Sequence, residues 1–223
     1  MFEKRTIRVT GKGSIKVTPD MMRITITMKK TRESYEETMR CSSEDTKELQ
    51  ELLSEFGFQK SDLKTLSFDV DSEFERYQDA NGIYQKKFLG YSYEHEMKVE
   101  FERDNDRLGK ILYALAKCPL KPEFRISYFV RDREAAKNKL LGNAVRDAAA
   151  KASVLAEAAG VELEDIQTID YSWGRVDFEF DDVGMARPGV CLEASAGSRS
   201  FDMDINPDDI EVEDTVTVIW GIE

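Results

Sequence analysis

The sequence has few of the residues on which most metal and nucleophile chemistry depends. Its 223 residues include one histidine and three cysteines. Cys41, Cys118 and Cys191 are odd in number and far apart, a pattern that indicates neither a disulfide framework nor a zinc knuckle. A single histidine does not make a transition-metal site of the usual kind. We therefore expect reduced thiols, no metal site of that kind and no cofactor.

Long apolar runs and an excess of basic residues are also missing. No stretch approaches the roughly 18 apolar residues of a membrane-spanning helix, and residues 1–13 have no run of the length that a signal peptide needs. The sequence therefore predicts a cytoplasmic protein without a membrane span. The chain has 44 acidic and 32 basic residues and a net charge of −12. Because nucleic acids are bound by positive surfaces, we expect no nucleic-acid partner.

What the sequence does have is one long helical stretch, from Arg133 to Gly160. Apolar residues recur in it at helical spacing and form one stripe. Most of these residues are alanine, which has the best helix propensity and allows another backbone to come close. We expect this helix to lie flat on a sheet and to end at Gly160. The stripe consists of Ala136, Leu140, Ala144, Ala148, Ala152, Leu155, Ala156 and Ala159.

Alternating apolar and polar residues predict strands on both sides of this helix. The first strand runs from Ile7 to Val17 and contains Gly11 and Gly13, where a close backbone approach or, preferably, a bulge is expected. A turn at residues 18–20 then suggests that residues 22–28 form its antiparallel partner. A helix follows to about residue 56, with Tyr35, Met39, Leu49, Leu52, Leu53 and Phe56 as its apolar face. A second hairpin has its tip at Asn81-Gly82.

The element order is therefore ββαββ followed by αβαββ, which describes an α+β protein with mainly antiparallel sheets packed against helices. We predict two sheet-plus-helix halves, residues 1–102 and 103–223, which are interlocked. After the long helix come a strand around residues 166–171 and an irregular region at residues 174–200. A β-branched strand closes the chain at residues 210–220.

Five segments together resemble the SIMPL family, a domain of unknown function. Residues 7–26 have the family's form of a strand, G-x-G, a second strand and Pro-Asp. Residues 63–74 and 90–101 are similar to its second hairpin, and residues 205–222 to its closing strand. The A-x₂-D-A-x₃-K-A core within residues 144–169 resembles its alanine-rich helix. The resemblance covers nearly the whole chain.

The resemblance implies an α+β fold and leaves the activity open. Some bacterial members are exported and associated with oxidative stress, and some assemble into ring-like homo-oligomers. The eukaryotic namesake is a kinase-associated adaptor. No catalytic residues are established for the family, so the resemblance assigns none here. This sequence differs from the exported members because it shows no leader.

One acidic motif has the spacing of a calcium-binding loop. Its oxygen ligands would be supplied by Asp202, Asp204, Asn206, Asp208 and Glu213, as in an EF-hand. Pro207 occupies the position where that loop needs the sharp turn of a glycine, and apolar residues alternate with the acids as in a strand. We prefer a strand here and keep calcium as the alternative.

The remaining motifs have structural interpretations. His95 is expected on the apolar face of its strand, buried with a hydrogen-bond partner rather than acting as a catalytic base. Acids at residues 69–75 and 177–182 alternate with apolar residues, as on a solvated strand face. Four aromatic residues on the hairpin and the irregular region suit a protein contact instead, because interface cores favour tyrosine and phenylalanine. These candidates are Tyr77, Tyr84, Phe178 and Phe180.

The sequence therefore favours a non-enzymatic protein that forms homo-oligomers or binds a protein partner. The second hairpin and residues 174–200 are the expected contact surfaces. The alternative is a small-molecule binding module, or an enzyme, with a site between the two halves.

Overall fold

The structure is a computed structural model that describes residues 5–78, 82, 84–171, 179–181, 201 and 205–223. Three helices and eight strands lie within these residues. In chain order they are β1 (Thr6–Val17), β2 (Met21–Arg32), α1 (Tyr35–Ser54), β3 (Lys64–Gln78), β4 (Tyr84–Glu102), α2 (Asn105–Lys117), β5 (Glu123–Phe129), α3 (Arg133–Ala159), β6 (Leu163–Asp170), β7 (Glu179–Asp181) and β8 (Ile210–Ile222).

The predicted α+β fold is confirmed. One sheet has three strands in the order β1-β8-β6, and the other has five in the order β3-β4-β2-β5-β7. The short strand β7 is an addition to the predicted element order. Contacts group the chain into two compact units, each built from separated segments. Unit 1 contains Met1–Asp20, Phe129–Phe180 and Pro207–Glu223, and unit 2 contains Met21–Tyr128 and Asp181–Asn206. The division between residues 102 and 103 stays a prediction.

Unit 1 is the three-stranded sheet with α3 lying on it, as the alanine stripe predicts, except that Leu155 and Ala159 of that stripe are exposed. The side chain of Asp132 caps the helix by accepting from Ala135 N at 2.8 Å, and Gly160 ends it in the left-handed region at φ 68°. The buried residues of α3 recur at helical spacing and face apolar residues of β1 and β8. They are Ala136, Leu140, Ala144, Ala148, Ala152 and Ala156.

The helix packs on β1 by direct backbone approach at two glycines. A Cβ atom added to Gly11 would overlap the carbonyl oxygen of Ala144 and lie 2.5 Å from Ala148 N. One added to Gly13 would lie 2.9 Å from Ala144 N. The register between β1 and β8 runs without a shift from Thr6 to Val17. The bulge preferred at these glycines was therefore wrong. The glycines instead allow the backbone of α3 to approach β1 closely.

The predicted pairing of the first two strands was also wrong. β1 pairs with β8, and β2 pairs with β4 in the other sheet. Residues at the turn between β1 and β2 are bonded within unit 1 instead. The hydroxyl of Thr18 donates to Asp209 Oδ1 at 2.7 Å, and Asp20 Oδ1 accepts from Arg131 N at 2.8 Å. The turn therefore takes the chain out of the first sheet and does not close a hairpin.

Unit 2 has its core on one face of the five-stranded sheet, under α1 and α2. Alternate residues of β2 and β4 point into this core, and the residues between them form a charged face. The acids at residues 69–75 predict the same solvated face for β3, whose residues are mostly exposed. The largest fully buried side chains of the unit are Tyr93, Tyr128, Met22, Ile24, Ile26, Leu49, Leu53, Met97, Leu108, Ile111 and Leu112.

The buried face of α1 differs from the predicted one in its N-terminal half. Tyr35 and Met39 are exposed. The residues that face the sheet there are small or polar, and leucines take over only in the second half of the helix. The buried residues are Thr38, Cys41, Ser42, Asp45, Leu49 and Leu53. The apolar spacing therefore predicted the buried face correctly in the C-terminal half of this helix. It predicted the wrong face in the N-terminal half.

Within the described residues, every helix is too short or too polar to cross a membrane.

The close approach of α3 to β1 predicts that Gly11→Ala destabilises the protein strongly. The added methyl group meets main-chain atoms of α3, which cannot rotate away, so α3 must shift off the sheet. We expect a loss of about 3 kcal/mol in the free energy of unfolding, at the upper end of overpacking effects, measured by urea denaturation.

Gly142→Ala is the matched control. A Cβ atom at Gly142 meets nothing within 4 Å, and alanine favours the helix interior over glycine by about 1 kcal/mol. This variant should be as stable as the wild type or more so. If Gly11→Ala unfolds at the same urea concentration as the wild type, α3 does not lie against the backbone of β1.

Candidate functional site

The hairpin formed by β3 and β4 extends beyond the rest of its sheet. β2 pairs with β4 only from Tyr91 to Glu102, whereas the β3–β4 ladder continues to Gln78 and Tyr84. Residues 73–78 and 84–90 therefore pair only with each other within the described residues. We call this two-stranded ribbon the arm. It confirms the second hairpin that the sequence predicts.

One face of the arm carries a continuous row of exposed aromatic rings. Phe74 and Phe88 lie opposite each other in the ladder with ring centroids 5.5 Å apart. Phe88 contacts Tyr91 at 5.4 Å, and Tyr91 contacts Tyr35 of α1 at 5.7 Å, all in edge-to-face geometry. Phe74, Phe88 and Tyr35 retain 51%, 46% and 54% of their accessible surface. We call these four residues the aromatic row.

A bulge is what brings Phe88 and Tyr91 to the same face. Residues three apart on a regular strand point to opposite faces. The ladder pairs Glu73 with Gly90 but Phe74 with Phe88, so Leu89 is the extra residue on β4. This single insertion reverses the side-chain alternation of the arm. The row therefore continues without a break from the arm onto the sheet.

The base of the arm is held against the start of α1. Gly90 has φ 140°, and a Cβ atom there would overlap the carbonyl oxygen of Arg32 and lie 3.1 Å from Glu33 Cα. The link between β2 and α1 therefore crosses directly over the β4 backbone, which only glycine permits. The hydroxyl of Thr38 donates to the carbonyl oxygens of Ser34 at 2.8 Å and of Tyr91 at 3.1 Å.

Beyond the aromatic row, two cations face each other on the arm. Arg76 is opposite Lys86 in the ladder, two residues past the Phe74–Phe88 pair and therefore on the same face. Neither side chain has an ion-pair partner among the described residues. An open surface depression lies beside them, lined within the described residues by Arg76, Tyr84, Gln85 and Lys86. Like charges directly opposite each other destabilise a sheet.

Beneath α1, a buried polar cluster fixes the helix to the sheet. The Asp45 carboxylate, with 9% of its side-chain surface exposed, pairs with Lys30 Nζ at 2.8 Å. It also accepts a hydrogen bond from the phenol of Tyr93 and lies 3.7 Å from Cys41 Sγ. Lys30 and Tyr93 are themselves partners in the β2–β4 ladder. One carboxylate of the helix thus joins two strands.

The electrostatics of this cluster favour anchoring over reaction. Burial, with the hydrogen bond and charge of Asp45, raises the pKa of Tyr93 far above its usual value, so the phenol stays a hydrogen-bond donor. Burial and the negative charge of Asp45 also raise the pKa of the Cys41 thiol. Because the thiolate is the reactive form, Cys41 is a poor nucleophile in this position.

His95 is buried on the face that the strand alternation predicts. Its Nε2 is 2.8 Å from the hydroxyl of Thr65, and its Nδ1 is 3.3 Å from that of Thr46 on α1. The ring packs edge-on against Phe68, with centroids 5.1 Å apart. Burial disfavours the charged form of the imidazole and so lowers its pKa. None of these three contacts supplies a negative charge that would favour the protonated ring. The residue links α1 to β3 and β4.

The structure describes two of the four predicted contact aromatics. Tyr77 and Tyr84 lie exposed on the arm, near its tip. Phe178 lies outside the described residues, and Phe180 is described only as part of the backbone of β7. Their role in contacts stays a prediction, as does that of residues 174–200.

The predicted calcium ligands that the structure describes are engaged elsewhere. Asn206 Oδ1 accepts from Arg103 at 2.9 Å, and Glu213 forms an ion pair with Lys12 at 2.7 Å across β1 and β8. Asp208 Oδ1 accepts from the next backbone N–H. Asp202 and Asp204 lie outside the described residues. Within the described ranges, no three His, Cys, Asp or Glu side chains are grouped to hold a metal ion.

Sequence reasoning missed the aromatic row and the buried carboxylate. Tyr35 was assigned to the core, and Phe74 was not assigned a role. The helical stripe of Cys41, Asp45 and Leu49 carried the signal for a buried acid, because spacing by four places all three on one face. Charged residues are rarely buried unless paired, so such a stripe also predicts a basic or hydroxyl partner on the sheet.

The fold and these sites define an α+β protein of two sheets that presents an exposed aromatic arm. The chain belongs to the SIMPL family, described as proteins of unknown function (DUF541), whose family model matches residues 7–220. This confirms the resemblance seen in the sequence.

Two relatives carry the name 26 kDa periplasmic immunogenic protein. The one from Brucella abortus (strain S19) is 24% identical over 206 residues, which span 90% of this chain and 82% of the relative. The one from Brucella melitensis biotype 1 is 23% identical over the same extents. Because both relatives are named as periplasmic, the cytoplasmic placement inferred from the sequence was wrong.

The buried cluster predicts that Asp45→Ala destabilises unit 2. Removal of the carboxylate leaves the phenol of Tyr93 and the partly buried ammonium of Lys30 without their partner. We expect a loss of about 3 kcal/mol, at the lower end of the effect for a broken buried pair, measured by chemical denaturation.

Glu44→Ala, one residue earlier on α1, is the control for helix propensity and net charge. Glu44 is exposed and lies 4.0 Å from Arg40, so its loss should change stability by less than about 0.5 kcal/mol. Equal effects of the two substitutions would mean that Asp45 does not anchor the helix.

The lowered pKa of His95 predicts a loss of stability in mild acid. The unfolded chain has the ordinary histidine pKa near 6.5, and the folded value lies below it. The stabilisation is therefore complete above about pH 6.5 and is lost as the pH falls toward the folded value. Since the chain has one histidine, NMR titration of its imidazole should give a midpoint below 6.5.

His95→Gln supplies an amide group that can hydrogen-bond to Thr46 and Thr65, and it removes the titratable imidazole. Its free energy of unfolding should fall less than that of the wild type between pH 7.5 and pH 5. Parallel curves for the two proteins would show that His95 titrates equally in the folded and unfolded states.

Proposed function

We propose that this protein is a non-enzymatic protein-binding member of the SIMPL family that forms homo-oligomers or binds a protein partner through the aromatic row of its arm. The observation that carries the proposal is the row itself. Three of its four rings are about half exposed, and each ring of the row packs edge-to-face on the next. Large apolar surfaces of this kind mark sites of association.

The row has the properties of an interface core. Aromatic side chains bury much area and have few rotatable bonds, so they lose little entropy when a partner covers them. Phe74 and Phe88 stand on a ribbon that presents them away from the core of unit 2, and Tyr35 stands at the exposed start of α1. A partner can therefore reach all of them from one side.

The buried titratable groups support a role without catalysis. Tyr93 and Cys41 are held in their protonated forms by Asp45 and by burial. His95 is closed between two threonines and Phe68. Tyr93 and His95 join α1 to the sheet and thereby support the base of the arm.

We propose the periplasm as the place where this protein acts, on the names of its two Brucella relatives. A link to oxidative stress and the alternative of a small-molecule site stay expectations from the sequence.

Phe74→Ser combined with Phe88→Ser tests the row. We expect the double variant to fold, since both side chains are exposed, and to associate more weakly than the wild type in the measurements that follow. Light scattering at several protein concentrations measures self-association. Retention of proteins from a periplasmic extract on the immobilised chain measures partner binding.

Ile169→Ser is the control, because Ile169 lies on β6 of unit 1 and is 51% exposed, similar to the two phenylalanines. It should retain the wild-type particle mass and the wild-type set of retained proteins. If the wild type and the double variant behave alike in both measurements, the aromatic row is not a binding surface.

A further inference from the structure

We infer that the free edge of β3 binds an extended peptide segment in which basic and apolar residues alternate, as an added strand of the five-stranded sheet. The site is residues 67–72, which we call the acidic edge. It precedes the arm along β3 and shares no residue with the aromatic row. The inference therefore goes beyond the proposed function and does not depend on it.

The backbone of the acidic edge is open because β3 is the outermost strand of its sheet. The strand order is β3-β4-β2-β5-β7, and within the described residues β3 pairs with β4 alone. In an antiparallel ladder, every second residue of an outer strand directs its N–H and C=O groups away from its neighbour. No residue of β3 is buried. An extended segment can therefore reach these groups and continue the ladder.

The acidic edge stands on the packed part of the sheet. Residues 67–72 pair with residues 91–96 of β4, which also pair with β2 on their other side. The ladder is regular here, and register shifts flank it between Thr65 and Ser67 and between Glu73 and Phe74. Because bulges bend a strand, the straight edge has room for a segment of about this length. The edge is ordered before a partner arrives, which lowers the entropy cost of binding.

The outer face of this edge, which points away from the core of unit 2, carries carboxylates. Asp69 stands directly opposite Glu94 in the ladder, an arrangement of like charges that destabilises a sheet. Asp69 and Asp71 have no ion-pair partner among the described residues. Lys29 of β2 offsets part of the charge, because it pairs with Glu94 at 3.3 Å and with Glu73 at 3.9 Å. Basic side chains of an added strand would offset the rest.

The basic residues of β3 and β4 on this outer face lie beyond the two ends of the acidic edge. Lys64 and its ladder partner Lys98 come before it, and Lys87 comes after it, opposite Glu75. Between them, the facing residues of β4 include Glu96 as a further acid. The charge that an added strand meets at residues 67–72 is therefore negative.

The inner face of the same edge is apolar. The ring of Phe68 lies 6.5 Å from that of Tyr93 and 5.1 Å from that of His95, measured between centroids, and the side chain is 39% exposed. Val70 packs on the core of unit 2. Because side chains of a strand alternate between the two faces, a complementary strand has basic residues on the outer face and apolar residues on the inner face.

The same carboxylates oppose pairing of this edge with that of a second copy. Two antiparallel β3 strands joined edge to edge would bring the acids of both copies to one face, where like charges destabilise the pair. Charged residues on edge strands commonly prevent such pairing in proteins. A basic segment meets the opposite charge, so the partner at this edge is a different chain.

Fluorescence anisotropy with synthetic peptides tests the inference. The probe is a labelled peptide of alternating lysine and valine, long enough to span the acidic edge. We expect it to bind the full chain saturably. A peptide with the lysines in one block and the valines in another cannot place its lysines on one face, and an alternating glutamate–valine peptide opposes like charges. Both should bind at least tenfold more weakly, and equal binding of the three peptides would overturn the inference.

Asp69→Lys combined with Asp71→Lys should reverse the preference of the edge. Both positions are exposed, so the variant should fold, with thermal melting as the check. It should bind the glutamate–valine peptide more tightly than the lysine–valine peptide. Glu44→Lys combined with Glu48→Lys changes the net charge equally at exposed positions of α1 and should keep the wild-type preference. If this control loses the preference to the same degree, the chain attracts basic peptides by net charge alone and the inference is wrong.

Amide hydrogen exchange, followed by NMR, distinguishes strand addition from contact through side chains. The lysine–valine peptide should slow exchange of alternate amides within residues 67–72, because N–H groups that face solvent then donate to the peptide. Unchanged exchange there would overturn the inference, even if the peptide binds.

The double variant Phe74→Ser with Phe88→Ser separates this inference from the proposed function. Because neither ring belongs to the acidic edge, the variant should bind the lysine–valine peptide as the wild type does, whatever its effect on protein association. If it loses the peptide, the aromatic row holds the peptide. The inference is then wrong, and the proposed function is still supported.

Discussion

The carboxylate of Asp45 fixes the position of α1, and the candidate binding surface depends on that position. The N-terminal half of this helix has no large apolar residue facing the sheet, so hydrophobic burial alone does not hold it. Its ion pair with Lys30 and its hydrogen bond from Tyr93 are directional and join two strands. Because Tyr35 is the first residue of this helix, the same contacts place the last ring of the aromatic row.

The packing of α3 on a sheet is the part of the fold that the sequence predicts best, although the bulge expected at the two glycines of β1 was wrong. Both sides of the contact are visible in the chain, as alanines at helical spacing and as two glycines on alternate strand positions. Small residues on one element have a packing purpose only if another backbone comes close. The stripe and the G-x-G segment each indicate a close backbone contact, although neither shows that α3 and β1 are partners or which face of the sheet is covered.

Strand partners and register could not be obtained in the same way. Alternation shows that β1 is half buried, but it does not specify the neighbour, which is β8 near the other end of the chain. In the arm, a two-residue turn at Asn81-Gly82 would pair Phe74 with Leu89. The actual ladder pairs Phe74 with Phe88, with five residues between Gln78 and Tyr84. A shift of one residue reverses every face, so the aromatic row was not predictable from the turn.

The charge of the whole chain and the charges on the arm act over different distances. At −12, two copies repel each other, but at physiological ionic strength this repulsion is screened beyond about 8 Å. Under the function proposed above, the cations of the arm act only within that range, once the aromatic rings lie near a partner. Burial of the rings would then supply most of the free energy of association, and Arg76 and Lys86 would favour a partner surface that brings carboxylates to that end of the row.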